Sequence, residues 1–176
     1  MELAIEQGWD NKSYDKVFAE AVRYEPSYQY FYRAKAVNLL PRWHGEPGDW
    51  EKFANSVKTE LGPEEGLKMY YQIVVNISRY HGADFFQKNQ VSWEDTKKGF
   101  ELFEKDYGMS REKLNEFGRL AIFATDAQMS CKVFQRLSGE NDFEPEVWNN
   151  QRKYFERDKE LGLQWCKFPE FANQAK

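Results

Sequence analysis

The sequence has few of the residues that build β-sheets. Val, Ile and Thr number nine, four and three in a chain of 176 residues, about 9% of the total. β-Branched side chains suit extended strands better than helices, so their scarcity argues against a β-sandwich or a parallel α/β sheet. Six Pro and 11 Gly are too few for a collagen-like or disordered chain. The composition is that of a globular, helical protein.

Long apolar runs and an excess of charge are also missing. The longest aliphatic run, Ile73–Val75, is far shorter than the roughly 20 residues that span a bilayer. The first residues do not have the basic-then-apolar pattern of a signal peptide. The formal net charge is −4 and is shared about equally by the two halves, so no basic stripe is present for phosphate groups. We therefore expect neither a membrane nor a nucleic acid as partner.

Cysteine and histidine are too scarce for a disulfide framework or a metal centre. Cys131 and Cys166 have no CxxC spacing, and we interpret both as unpaired, with Cys131 a small hydrophobic residue on a helix. Unpaired thiols predict a bacterial, reducing, cytoplasmic location. The two histidines, His44 and His81, lie on separate segments, so we expect no metal. No glycine-rich phosphate loop occurs, and we expect no cofactor.

Aromatic residues, by contrast, are plentiful, and helix start signals recur along the chain. Fourteen Phe, ten Tyr and six Trp fall mostly at helical spacing. Eight helices are predicted, six of them with a side-chain N-cap and two opened by a proline pair. The predicted starts are Ser13, Ser27, Asp49, Gly62-Pro63, Ser92, Ser110, Asp126 and Glu144-Pro145.

A long-period repeat suggests how these helices are arranged. Residues 23–27 align with residues 106–110 at an offset of 83, and half of that offset suits a pair of helices. Small residues and a terminating proline in residues 8–26 look like the second helix of a tetratricopeptide repeat. We therefore predict an all-α array of antiparallel helix pairs, a tetratricopeptide-like α-solenoid. It forms one domain over residues 1–165, with a C-terminal tail at 166–176.

The segment from Leu40 to Trp50, LPRWHGEPGDW, is the most unusual part of the sequence. Two Pro and two Gly restrict its path between two helices. One interpretation is a recognition surface, and another is a catalytic site in which His44 works with a carboxylate as a base pair. A third is purely structural, with buried tryptophans, a capping aspartate and a paired arginine. The candidate binding residues are Arg42, Trp43, His44, Glu46, Asp49 and Trp50.

A second candidate surface lies on the preceding predicted helix. Tyr28 and Tyr32 share one face at i,i+4, while Phe31 is predicted to face the core. Exposed tyrosines make good binding anchors, although the same residues can instead fill an interface between helix pairs. We include Tyr28, Tyr32 and the adjacent Arg33 among the candidate binding residues, on one continuous face with Arg42.

Residues 40–54, LPRWHGEPGDWEKFA, resemble the signature of a bacterial family of uncharacterised proteins. Members of that family often combine the motif with tetratricopeptide- or Sel1-like helices. The stretches 93–101 and 114–118 also fit, so the resemblance covers about residues 10–150. It implies a helical fold and no catalytic residues, because the family has no established activity. Family chains are often longer at the N-terminus, which suggests that this chain is part of a longer protein.

These observations favour a non-enzymatic scaffold or adaptor that binds a protein or peptide, in an oligomeric state that the sequence leaves open. Two alternatives remain. One is a small enzyme with its site at residues 42–50, where His44 acts with Glu46 or Asp49. The other is an immunity- or inhibitor-type binding protein, which the compact, acidic composition permits.

Overall fold

The computed structural model describes residues 10–139 and 141–168, and every regular element in those residues is helical. The helices are α1 Asn11–Tyr24, α2 Gln29–Asn38, α3 Asp49–Glu60, α4 Glu65–Ser78, α5 Phe85–Lys88, α6 Trp93–Tyr107, α7 Arg111–Phe123, α8 Ala127–Arg136 and α9 Arg152–Lys167. The predicted all-α fold is confirmed. The short α5 is not among the eight predicted helices, and it brings the number of helices in the described residues to nine.

The described residues divide into two compact units. One contains the residues up to Tyr80 together with Gln87–Phe103, and the other contains His81–Phe86 and the residues from Glu104 onward. In the first unit α4 packs against α2 and α3, and α1 packs against α2. In the second unit α8 packs against both α7 and α9. Within the first unit, α1 to α4 therefore each contact the next helix, and α7 to α9 do the same within the second unit.

Helix α4 is the core of the first unit. Close packing around it depends on two glycines that leave room for a neighbouring backbone. A Cβ on Gly66 would lie 2.0 Å from the carbonyl oxygen of Lys58 on α3, and one on Gly99 would lie 2.2 Å from that of Leu67. Both α3 and the first part of α6 thus approach α4 without an intervening side chain. The fully buried side chains of α4 are Tyr70, Tyr71, Ile73, Val74 and Ile77.

Phe134 of α8 is the centre of the second unit's core. Its ring packs against two glycines, Gly118 on α7 and Gly162 on α9. A Cβ on Gly162 would lie 2.5 Å from the ring's Cδ2 atom. Trp148 closes another part of this core, and its indole Nε1–H donates a hydrogen bond of 2.8 Å to Asn115 Oδ1. The residues that join α8 to α9 are thereby attached to α7.

Three of the predicted N-caps are confirmed. The side chains of Ser92, Ser110 and Asp126 each accept a hydrogen bond from the backbone N–H three residues later, at 3.0, 3.2 and 2.9 Å. Such bonds satisfy N–H groups that have no partner within the helix. The signal is local, which is why sequence alone reveals it.

The first two predicted helix starts are wrong. Asp10 caps α1, because its Oδ1 accepts the backbone N–H of Ser13 at 3.0 Å, and Ser13 already lies within the helix. Helix α2 has no side-chain cap. The hydroxyl of Ser27 donates instead to Glu25 Oε1 at 3.2 Å.

The last helix begins later than predicted. The sequence favours a start at Glu144-Pro145, whereas α9 begins at Arg152. Asn149 and Asn150 have φ angles of 52° and 58°, in the left-handed region that ends a helical path. Residues 145–150 therefore form turns.

The interpretation of the two cysteines as unpaired is wrong. Cys131 on α8 and Cys166 on α9 form a disulfide with a Cα–Cα distance of 5.1 Å. Cys166 and Lys167, placed in the predicted tail, belong to α9. The rest of that tail, residues 169–176, lies outside the described residues. No helix of the described residues is long and apolar enough to cross a membrane.

Candidate functional site

The loop between α2 and α3 is held by hydrogen bonds to the end of α2. The N–H of Trp43 donates to Leu40 O at 2.9 Å, and that of His44 donates to Asn38 O at 3.2 Å. The N–H of Gly45 also donates to Leu40 O, at 3.3 Å. The loop therefore has a defined path, as its prolines and glycines predict.

The two glycines of the loop have different roles. Gly45 sits against the backbone of α2's C-cap residue, where a Cβ would lie 2.0 Å from Leu39 O. Gly48 has φ 91° and is the N-cap of α3. Only glycine adopts that conformation readily. Any side chain at position 45 would push the loop away from α2.

Asp49 does not cap α3 as predicted, since it is the first residue of that helix. Its Oδ2 accepts the N–H of Glu46 at 2.9 Å, and its Oδ1 lies 3.3 Å from Lys52 Nζ. The hydrogen bond from Glu46, followed by the contact with Lys52, keeps the pKa of the Asp49 carboxyl below its usual value. The carboxylate closes the loop by bonding back to it.

Two exposed side chains of the loop, Arg42 and Trp43, form an arginine–aromatic cluster with Tyr80. The guanidinium carbon of Arg42 lies 5.4 Å from the ring centroid of Trp43 and 5.0 Å from that of Tyr80. The exposed fractions are 41% for Trp43 and 44% for Tyr80. Arg42 makes no hydrogen bond or ion pair with any described residue. We call these three residues the Arg42 cluster.

The catalytic interpretation of the loop has no geometric support. His44 is half-buried, and its carbonyl oxygen accepts a 3.0 Å hydrogen bond from Asn11 Nδ2. Within the described residues, neither Glu46 nor Asp49 forms a hydrogen bond or ion pair with the His44 ring. Trp50 is buried in the core, with 2% of its surface exposed. Only part of the predicted loop surface is therefore open to a partner.

Tyr32 is not on an exposed face with Arg42. It is 5% exposed, and its hydroxyl donates to Pro26 O at 2.7 Å. Burial raises the pKa of its phenol. Arg33 is half-buried and donates to Asn76 Oδ1 at 3.1 Å. Tyr28, half exposed at the N-cap of α2, packs its ring against its neighbours on the same helix.

Tyr80 is the member of the Arg42 cluster that the sequence does not predict. It follows α4, 37 positions after Trp43, and no motif links the two. The only local signal is a large aromatic residue just beyond the end of an apolar helix. The fold, rather than any spacing, brings the three side chains together.

The described residues contain no group of three or more His, Cys, Asp or Glu side chains arranged to hold a metal ion. In comparisons with protein-family models, curated proteins and solved structures, the chain matches none.

Proposed function

We propose that this chain is a non-enzymatic protein-interaction module, a scaffold or adaptor, and that the Arg42 cluster contacts an acidic segment of its protein partner. The observation that carries the proposal is the position of the Arg42 guanidinium beside two aromatic rings, each more than 40% exposed. Trp, Tyr and Arg are the residues most enriched at binding hot spots.

The chemistry of Arg42 indicates the class of partner. A guanidinium presents a planar fork of N–H donors that fits a carboxylate with two hydrogen bonds. Within the described residues no carboxylate pairs with the Arg42 guanidinium, and the flanking rings restrain the side chain. The loop's hydrogen bonds reduce the conformational entropy that would be lost on binding. An exposed, restrained arginine between two rings suits an acidic side chain with apolar neighbours.

Affinity capture from a native lysate, followed by rebinding of the purified partner, tests this proposal. Arg42→Gln and Trp43→Ala should each lower the affinity for the purified partner by about tenfold or more. Tyr24→Ala is the matched control, because Tyr24 is 89% exposed and outside the cluster. All three variants should have the thermal stability of the wild type. A partner that binds both cluster variants as tightly as the wild type would overturn the proposal. An equal loss of affinity in Tyr24→Ala and in the cluster variants would also overturn it.

We further propose that the helices form a tetratricopeptide-like repeat, within the bacterial family that the 40–54 motif suggests. Support comes from the predicted offset of 83. Tyr24 and Tyr107, which align at that offset, are the last residues of α1 and α6. The following helices begin at Gln29 and Arg111, one position from the same register. The test is an alignment of further sequences. Helix start and end signals that do not recur at this offset would argue against a repeat.

The cytoplasmic location stays a prediction, and the Cys131–Cys166 disulfide bears on it. Disulfides persist in oxidising compartments and are rare or transient in the reducing cytosol. Alkylating free thiols in intact cells before extraction measures the native redox state. Two alkylated cysteines would support a cytoplasmic location, whereas two protected cysteines would favour an oxidising compartment.

A further inference from the structure

The Cys131–Cys166 disulfide borders a groove on the second unit. The groove has a volume of about 850 Å³ and is lined by α9 and by residues at and after the end of α8, and Cys166 is one of its lining residues. Both cysteines are half-buried, whereas Phe134 in the adjacent core is fully buried. Exposed disulfides are the labile and regulatory ones, because thiols can attack them. A thiol in the groove can therefore reach this bond while the unit is folded.

The core of the second unit is held together by contacts that do not involve the disulfide. Phe134 of α8 packs against Gly118 on α7 and Gly162 on α9. The ring centroid of Phe155 on α9 lies 6.4 Å from that of Phe134 and 5.7 Å from that of Trp148. These contacts join all three helices. Breaking the bond therefore leaves α7, α8 and the first part of α9 packed together.

The last turn of α9 is the part whose position depends on the bond. Helix α9 ends at Lys167, one residue after Cys166. The last carbonyl groups of a helix have no partner within it, and helix ends open more easily than helix centres. Trp165, which is 2% exposed, anchors this turn in the core.

The same turn also forms one end of the groove. It supplies four of the groove's lining residues, Leu163, Gln164, Cys166 and Lys167. A groove wall keeps its shape only while the residues that form it stay in place. Movement of the last turn of α9 therefore changes the shape of the groove.

We propose that the Cys131–Cys166 bond is a reversible redox switch that controls the position of the last turn of α9 and, with it, the shape of this groove. The bond closes the turn onto α8 when it is oxidised and releases it when it is reduced. The switch belongs to the second unit and does not depend on the Arg42 cluster, so either proposal can fail alone.

A dithiol is the class of reductant that works the switch. One of its thiolates attacks the sulfur of Cys166, forms a mixed disulfide and displaces the thiolate of Cys131. Its second thiol then breaks the mixed disulfide, so the protein gains two electrons and two protons and the reductant becomes an intramolecular disulfide. A small-molecule disulfide restores the bond by the reverse exchange and is itself reduced to two thiols.

The rate of reduction of the folded protein tests access to the bond. The wild type is treated with dithiothreitol in native buffer and in urea that unfolds it, and free thiols are alkylated and counted over time. The native rate should lie within about tenfold of the rate in urea, whereas reduction through global unfolding would make it lower by about 10³-fold or more. A native rate that is this low, and that rises with added urea as the unfolded fraction does, would overturn the proposal.

Indole N–H resonances of the ¹⁵N-labelled protein show what the switch moves. Reduction should shift the resonance of Trp165 and leave those of Trp148 and Trp50 in their folded positions, each assigned with its Trp→Phe variant. Glutathione disulfide should return the Trp165 resonance to its starting position. No shift of Trp165, loss of the folded Trp148 resonance, or failure to recover on oxidation would each overturn the proposal.

The double variant Cys131→Ser/Cys166→Ser is the matched control. It should show the Trp165 resonance of the reduced wild type, and neither dithiothreitol nor glutathione disulfide should move that resonance. A variant that keeps the resonance of the oxidised wild type would show that the bond does not position the turn. A variant that circular dichroism finds unfolded would show that the bond holds the whole unit, and this outcome would also overturn the proposal.

Discussion

Reduction of the Cys131–Cys166 disulfide should destabilise the second unit by an amount that follows from its loop length. The two cysteines are 35 residues apart. In the chain-entropy model, removing a cross-link that closes a loop of this size lowers the free energy of unfolding by about 3.8 kcal/mol. For a chain of this size, that loss corresponds to a melting temperature about 10 °C lower.

The structure also indicates which residues should lose stability first when the disulfide is reduced. The bond joins the last turn of α9 to α8, next to Trp165, which is 2% exposed. Without the bond, the end of α9 loses its covalent attachment to α8. Amide hydrogen exchange should therefore accelerate first in residues 163–167 and later in the α8 backbone.

Urea unfolding with and without reductant measures this effect, with thiol titration of the denatured protein to count free cysteines. The matched control is the double variant Cys131→Ser/Cys166→Ser, which should resemble the reduced wild type and not respond to reductant. Two titratable thiols in the oxidised protein would refute the bond. An unchanged midpoint after complete reduction would refute the loop-length reasoning.

Three further predictions concern the cores and their pH dependence. Gly162→Ala should lower the free energy of unfolding by about 1–3 kcal/mol in urea titrations, because the new Cβ would overlap the ring of Phe134, and an unchanged midpoint would contradict this packing. Tyr32→Phe should cost about 1 kcal/mol at neutral pH, since it removes the hydrogen bond to Pro26. It should also reduce the loss of stability that the wild type shows as the pH rises above about 10, because the folded-state pKa of Tyr32 is raised; equal alkaline profiles would contradict this. Burial raises the pKa of Asp158, although Arg157 and Arg119 oppose the shift. The wild type should therefore lose stability relative to Asp158→Asn as the pH rises from about 4 towards the folded-state pKa. Parallel pH profiles of the two proteins would show that the pKa of Asp158 is not raised.

Local sequence signals predicted the parts of the fold that depend on neighbouring residues. The caps at Ser110 and Asp126 need only one side chain and the backbone N–H three residues later, so both could be recognised. At the first helix the same reasoning placed the start at Ser13, whereas Asp10 supplies the cap. Both are capping residues, and only the three-dimensional path of the chain selects between them.

The burial of particular aromatic residues could not be predicted in the same way. Helical spacing placed Phe31 in the core and Tyr32 outside, but Tyr32 is buried and Phe31 is half-buried. Two adjacent residues on a helix point about 100° apart, and in an aromatic-rich segment either one completes an apolar face. The hydroxyl of Tyr32 finds a carbonyl partner in the preceding loop, which removes the penalty of burying it.

The Arg42 cluster depends on the core of the first unit as much as on its own loop. Tyr80 follows α4, and turning α4 about its axis would expose fully buried residues such as Ile73 and Ile77. The packing of α4 therefore determines the position of the Tyr80 ring relative to Arg42. A substitution such as Ile77→Val, which removes one buried methylene and typically costs about 0.5–1.5 kcal/mol, should leave the protein folded. If the packing of α4 positions Tyr80, this variant should weaken partner binding although Ile77 touches no partner. Unchanged affinity would show that Arg42 and Trp43 suffice for recognition.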